Sequence, residues 1–83
     1  MAFAANIYVS LKSTVSDPQG ATVSGALSQL GFDSVKDVRV GKYITLHIAE
    51  SSIKEAESVV TDMCEQLLAN TVIEEYKFEL QEL

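Results

Sequence analysis

The sequence predicts an α+β fold with the element order β-α-β-β-α-β. Short runs in which every second residue is apolar indicate half-buried strands, and two segments carry apolar residues at helical spacing. The 83 residues are 47% hydrophobic with one Pro and four Gly, which is typical of a folded globular chain. Because each element has a single apolar face, we expect a two-layer sandwich, with two helices on one face of an antiparallel or mixed sheet.

The first half of the chain predicts a strand followed by a helix. Ile7, Val9 and Leu11 alternate with polar residues, as in a strand with one buried face. Asp17 stands directly before Pro18, the pattern of an N-cap residue and the first helical position. The helix that follows carries an apolar stripe and stops at a glycine: Val23, Ala26, Leu27, Leu30 and Gly31. Two further glycines, Gly20 and Gly25, weaken this helix, so we expect a reason for a bare backbone there, and close approach of another chain is one candidate.

The second half predicts a hairpin, a helix and a last strand. Val35–Val40 and Tyr43–Ile48 are rich in β-branched and aromatic residues, and the pair Gly41-Lys42 between them suits a two-residue turn. Ser52 and Glu55 form a capping box that begins the second helix. Its apolar stripe and its stop are Ala56, Val60, Met63, Cys64, Leu67, Leu68 and Asn70. Tyr76, Phe78 and Leu80 then alternate with charged residues as the final strand.

Small size predicts self-association. A chain of this length buries too little surface for its core alone to give a comfortable stability, and small domains add disulfides, a metal or a partner. Because the chain has only one Cys and one His, a disulfide framework and a structural metal site are both excluded. The sheet face opposite the helices is semi-polar, and such tyrosine-containing faces often meet partners. We therefore expect a dimer whose face includes Tyr8, Tyr43, Thr45 and His47.

Charge and composition restrict the cellular compartment and the classes of partner that the sequence predicts. The net charge is -6, and residues 50–83 hold nine acidic against two basic residues, a pattern typical of solvated faces. An acidic chain lacks the basic footprint of nucleic-acid binding. Met1–Asn6 lacks a charged signal-peptide start, and no apolar run reaches the length of a membrane span. Together with a lone cysteine, this predicts a cytoplasmic protein without nucleic-acid or membrane partners.

The sequence contains no recognisable catalytic, metal or cofactor constellation. His47 has no positioned partner, and Cys64 lies on an apolar stripe, where a thiol is usually inert. Glu75 and Glu79 alternate onto a polar strand face. The glycines after Pro18 lack the spacing of a phosphate-binding loop. Tyr8 and Tyr43 could stack RNA bases, but no basic motif surrounds them. We therefore expect no catalysis by the isolated chain.

Four blocks of the sequence together carry a resemblance to a known family. They are Val9–Lys12, Asp17–Gly20 with Leu27, Leu30, Gly31 and Phe32, Asp37–Tyr43, and Met63–Asn70 running into Val72–Glu74. In their order and spacing they resemble the PurS family, the small subunit of phosphoribosylformylglycinamidine (FGAM) synthase. One departure is Ser13-Thr14, where the family commonly has Pro-Gly, and this changes the turn before the first helix.

The resemblance implies one PurS-like domain over residues 1–83 and a role in purine biosynthesis. It implies a non-catalytic, dimeric or tetrameric subunit of an ATP-dependent ligase, joining a large synthetase subunit to a glutaminase subunit so that glutamine-derived ammonia amidates formylglycinamide ribonucleotide. ATP and magnesium are then expected in the large subunit, with no cofactor or metal in this chain. The matching residues that the core does not require are the expected partner interface: Asp17, Pro18, Gln19, Gly20, Arg39, Gly41 and Lys42. The alternative is a small-molecule-sensing regulatory dimerisation domain.

Overall fold

The computed structural model describes all 83 residues as three strands and two helices. The strands are β1 (Ala2–Leu11), β2 (Lys42–Ala49) and β3 (Glu74–Glu82), and the helices are α1 (Pro18–Gln29) and α2 (Ile53–Met63). The sheet order is β2-β1-β3, and both neighbouring pairs are antiparallel. The predicted α+β class and antiparallel sheet are confirmed. No helix has the length and apolar character needed to cross a membrane.

The core lies between the sheet and α2. Period-two alternation in the central strand β1 points one set of side chains inward, and these are its most buried residues: Phe3, Ala5, Ile7 and Val9. The apolar stripe of α2 meets them through Ala56, Val60 and Cys64, none of which is exposed to solvent. The alternation of β1 and three members of the predicted α2 stripe, Ala56, Val60 and Cys64, are therefore confirmed as core.

The second helix ends in a wider turn than the periodicity predicts. Ser52 caps α2 by accepting a hydrogen bond from the Glu55 amide, but the Glu55 carboxylate accepts from Ser51, so only half of the capping box forms. A π turn, Cys64–Leu68, follows, and the Ala69 amide donates to the Cys64 carbonyl. The extra residue per turn rotates Leu67 out of the stripe, and it is 82% exposed. The prediction that Leu67 belongs to the apolar stripe is wrong.

The predicted strand over Val35–Val40 and its hairpin are also wrong. Residues 35–41 have no regular secondary structure, and β2 begins at Lys42. β2 pairs along one edge with β1, and no strand pairs with its other edge. The element order is therefore β-α-β-α-β, with residues 30–41 as a connection.

The first helix does not lie on the sheet of its own chain. α2 packs on β1 and β3, whereas α1 makes no extensive contact with any strand or with α2. This corrects the expectation that two helices cover one sheet face. Only the N-terminal end of α1 packs closely against the rest of the chain, as shown by Gly20, the single buried residue of this helix.

Candidate functional site

Most of the predicted partner-interface residues meet where the start of α1 touches the connection to β2. We call this region, residues 17–20 and 38–42, the junction. Asp17 holds it together, since Oδ1 accepts a hydrogen bond from the Gly20 amide at 2.8 Å and Oδ2 accepts one from the Val40 amide at 2.7 Å. The first bond caps α1, as predicted, and the second ties the helix to a segment 23 residues away.

Electrostatics keep the Asp17 carboxylate charged. The amides of Gly20 and then Val40 hold its pKa below the ordinary value of 3.8, and the nearby Arg39 guanidinium acts in the same direction. Asp17 is only 8% exposed. Both of its oxygens are occupied by its own chain, so Asp17 acts within the junction.

Gly20 is required by close approach of the chain to itself. A Cβ at this position would overlap the backbone carbonyl oxygen of Val38. Close approach of another chain was one candidate reason for the glycines of this helix, but at Gly20 the neighbour is the chain's own connection. At Gly25 a Cβ would meet nothing within 4 Å.

The other predicted interface residues form the exposed surface of the junction: Pro18, Gln19, Arg39, Gly41 and Lys42. Arg39 Nη2 donates a hydrogen bond to the Lys12 carbonyl at 2.9 Å, and Lys42 Nζ lies 3.5 Å from Glu74 Oε2. Gln19, Gly41, Lys42 and Glu74 line a cleft of about 290 Å³. The junction therefore presents two oriented cations beside an amide side chain, a surface suited to protein contacts.

Sequence reasoning missed Glu74 as part of this site. Glu74 ends one of the matching blocks and was not among the predicted interface residues, yet it forms the ion pair with Lys42 and is half-buried. Alternation along β3 places Glu74 on the same face as Tyr76, Phe78 and Leu80. An acid on an otherwise apolar strand face is the signal that could have found it.

Ser13 and Thr14, which stand where the family commonly has Pro-Gly, still form a tight turn. The Val15 amide donates to the Lys12 carbonyl at 2.9 Å, closing a turn with Ser13 and Thr14 in its centre, and no residue other than glycine has a positive φ. The same Lys12 carbonyl accepts from Arg39. The turn therefore supports the junction.

The predicted dimer-face residues share the sheet face that α2 leaves open. Tyr8 and Tyr43 are opposite each other in the β1–β2 register, with ring centroids 4.9 Å apart, and Lys77 Nζ lies 5.5 Å from the Tyr8 ring centre. The neighbouring Glu79 carboxylate raises the pKa of Tyr8. Thr45 and His47 continue the same face along β2. We call this surface the open sheet face.

No arrangement of side chains in the chain resembles a catalytic centre. Burial raises the pKa of the Cys64 thiol, which favours its unreactive form. A hydrogen bond to the Glu65 carboxylate, at 2.7 Å, raises the pKa of Tyr76 to about 12. No group of three His, Cys, Asp or Glu side chains is placed to hold a metal ion.

Comparison with known proteins identifies the family. The family model PurS, described as phosphoribosylformylglycinamidine (FGAM) synthase, matches residues 4–82. The chain belongs to the PurS family. A PurS subunit of phosphoribosylformylglycinamidine synthase from Bacillus subtilis strain 168 is 51% identical over 77 residues, which cover 93% of this chain and 90% of that protein.

Solved structures of PurS proteins share the fold. The B. subtilis PurS structure in its C2 crystal form has a TM-score of 0.87 at 48% identity, covering 96% of this chain and 99% of that one. A chain in the structure of PurLQS from Thermotoga maritima has a TM-score of 0.89 at 34% identity, covering 98% and 99%. The resemblance noted in the sequence is thereby confirmed along nearly the whole chain.

Proposed function

We propose that the chain is the small, non-catalytic subunit of FGAM synthase in purine biosynthesis. It joins a large ATP-dependent synthetase subunit to a glutaminase subunit, so that ammonia from glutamine amidates formylglycinamide ribonucleotide. The observation that carries the proposal is PurS family membership over residues 4–82. The match to a chain of the T. maritima PurLQS structure supports an assembly role.

A subunit without chemistry of its own can still determine the rate of such a reaction. Ammonia released into water is diluted and protonated before it reaches a second active site. Docking two active sites keeps the nucleophile local and shields it from solvent, which converts a dilute encounter into a nearly intramolecular step. In this arrangement ATP and magnesium belong to the large subunit. The free thiol of Cys64 suits a reducing compartment, and we place the complex in the cytoplasm.

The exposed surface of the junction is the proposed contact with the larger subunits. Pro18 and Gln19 lie on the first turn of α1, and Arg39 and Lys42 are held by hydrogen bonding and ion pairing rather than left mobile. Asp17 and Gly20 contribute by fixing the geometry of these neighbours. We assign the open sheet face, with Tyr8, Tyr43, Thr45 and His47, to self-association.

Charge reversal of the junction tests the partner contact. We expect Arg39→Glu combined with Lys42→Glu to leave this chain folded, because both residues are exposed, while glutamine-dependent activity of the reconstituted three-subunit synthase falls at least tenfold. The matched control is Lys54→Glu, at an exposed position of α2 away from the junction, which should retain activity. Ammonia-dependent activity of the large subunit should not change. Full glutamine-dependent activity of the double variant would exclude the junction as the contact.

A further inference from the structure

The strand β3 has an outer edge with which no other strand pairs. β3 lies at the margin of the sheet and has β1 on its inner side only. On that inner side the Ile73 carbonyl accepts a hydrogen bond from the Lys12 amide, and the Leu83 amide donates one to Ala2. Since successive residues of a strand point their backbone groups to opposite sides, the odd-numbered residues of β3 face β1. The even-numbered residues over 76–82 therefore turn their N–H and C=O groups to the outer edge.

This outer edge lacks the features that usually keep an edge strand from pairing. Exposed edges are commonly blocked by a proline, a β-bulge or a charge that points to the buried side of the sheet. β3 contains no proline, and its register with β1 is unbroken from Glu74 to Glu82. Its one lysine, Lys77, extends over the Tyr8 ring, toward the middle of the sheet. The free stretch is about 20 Å long, which accommodates a strand of about six residues.

A pocket of about 350 Å³ lies beside this edge on the helix side of the sheet. Its lining residues are Ile53, Glu57, Thr61, Phe78 and Leu80. No residue of β1 or β2 lines it, so it lies along the outer side of β3. The three α2 residues are spaced four apart and share one helix face, on which Ile53 is 50% exposed. A strand added to β3 would place every second side chain against the apolar residues of this pocket.

The charge of β3 favours a basic neighbour. The strand holds four acidic residues and one basic residue, and Glu57 adds a further acid at the pocket. Glu75 and Glu79 are exposed on the sheet face opposite the helices. Opposite charges on neighbouring strands stabilise their pairing, and like charges destabilise it. A second copy of β3 would bring the same excess of negative charge, whereas a segment with basic side chains would complement it.

From the free backbone groups, the pocket and the charge we propose that an extended segment of a larger synthase subunit adds to β3 as a fourth strand. This rests on the proposed function and names a contact beyond the junction. The segment alternates apolar side chains, which meet Ile53, Phe78 and Leu80, with basic side chains, which meet Glu75 and Glu79. When a strand is added to a sheet edge, backbone hydrogen bonds give affinity and the alternating side chains give specificity.

The outer edge of β3 is continuous with the proposed contact at the junction. β3 begins at Glu74, whose carboxylate lies 3.5 Å from Lys42 Nζ. The Glu74 amide donates to the Asn70 carbonyl at 2.7 Å, so the free backbone groups begin only at Tyr76. One subunit that covers the junction therefore has the β3 edge next to it.

Charge reversal at Glu75 tests the basic character of the segment. Glu75 is chosen because it is exposed, whereas Glu79 also neighbours Tyr8 on the open sheet face. We expect Glu75→Lys to raise at least fivefold the concentration of this chain that gives half-maximal glutamine-dependent activity of the reconstituted synthase. The matched control is Asp33→Lys, exposed and outside β3, which should leave that concentration unchanged. An unchanged concentration for Glu75→Lys would overturn the proposed occupant.

Amide hydrogen exchange in the reconstituted synthase tests strand addition itself. Exchange proceeds in the complex, is quenched, and is read residue by residue on this chain by mass spectrometry with fragmentation. We expect the Phe78 and Leu80 amides to exchange at least tenfold more slowly in the complex than in the isolated chain. The matched controls are the Lys77 and Glu79 amides, which face β1 in the isolated chain and should change much less.

The outcomes separate strand addition from the subunit role. Glutamine-dependent activity with unchanged exchange at Phe78 and Leu80 would overturn strand addition and leave the subunit role intact. Slow exchange of these two amides in the isolated chain would overturn it as well, because a second copy would then occupy the edge. If neither a complex nor glutamine-dependent activity appears, the subunit role fails, and strand addition fails with it.

Discussion

The absence of a side chain at Gly20 permits the backbone contact that positions the first helix. At Gly20 the backbone of α1 touches the carbonyl of Val38, so the connection from α1 to β2 can fold back over the helix start. The exposed junction residues, Arg39 among them, belong to that connection. The glycine therefore acts on the candidate site through the backbone.

Gly20→Ala should destabilise the protein, since its new methyl group would overlap the Val38 carbonyl. Forcing a group into filled space costs about 1–3 kcal/mol, and urea unfolding measures the change. The matched control is Gly25→Ala on the same helix, where open space surrounds the position. Alanine there should raise stability by about 0.5–1 kcal/mol through helix propensity. Equal stabilisation by both substitutions would show that the connection moves away from α1 at no cost.

At the scale of elements, α1 is attached by one carboxylate. The Asp17 side chain bonds the first turn of α1 and the backbone before β2, and these bonds lower its pKa. A lowered native pKa means that the unfolded chain binds the proton more readily. Asp17 therefore contributes stability above the unfolded value of 3.8 and loses it as the pH falls through the lower native value.

Asp17→Asn tests this attachment through its pH dependence. An amide can accept only one of the two hydrogen bonds and carries no charge, so we expect lower stability at neutral pH and a flatter loss below pH 3.8. Urea unfolding across this pH range is the measurement. Asp33→Asn, exposed and away from the junction, is the control and should follow the unmodified protein. A parallel pH profile for both variants would contradict the role of Asp17.

The sequence predicted those elements whose buried face follows from their own hydrophobic periodicity. β1, β3 and the start of α2 follow from alternation and capping, because these patterns define which face is buried. The run Val35–Val40 is rich in β-branched residues, but a strand also needs a neighbouring edge, and no local pattern encodes one. Likewise, helical spacing predicted α1 without indicating what covers its stripe. The error at Leu67 arose because the π turn departs from the helical period.

The same distinction applies to the candidate site. Asp17 was predictable as an N-cap because the bonded amide lies three residues away. Its bond to Val40 and the Lys42–Glu74 ion pair join distant parts of the chain, so only the fold brings them together. Five predicted interface residues proved to be exposed on one surface, while Asp17 and Gly20 are buried within it.

At the scale of the whole molecule, the extended shape makes stability depend on association. Only 10 of 83 residues are buried in the single chain, and its extents are 51 × 27 × 14 Å. Unfolding that separates two copies follows mass action, so each tenfold dilution should lower the apparent stability by about 1.4 kcal/mol of dimer. We expect the thermal unfolding midpoint, followed by circular dichroism, to fall steadily on dilution. A midpoint of the unmodified protein that stayed constant on dilution would mean that this small core is stable alone.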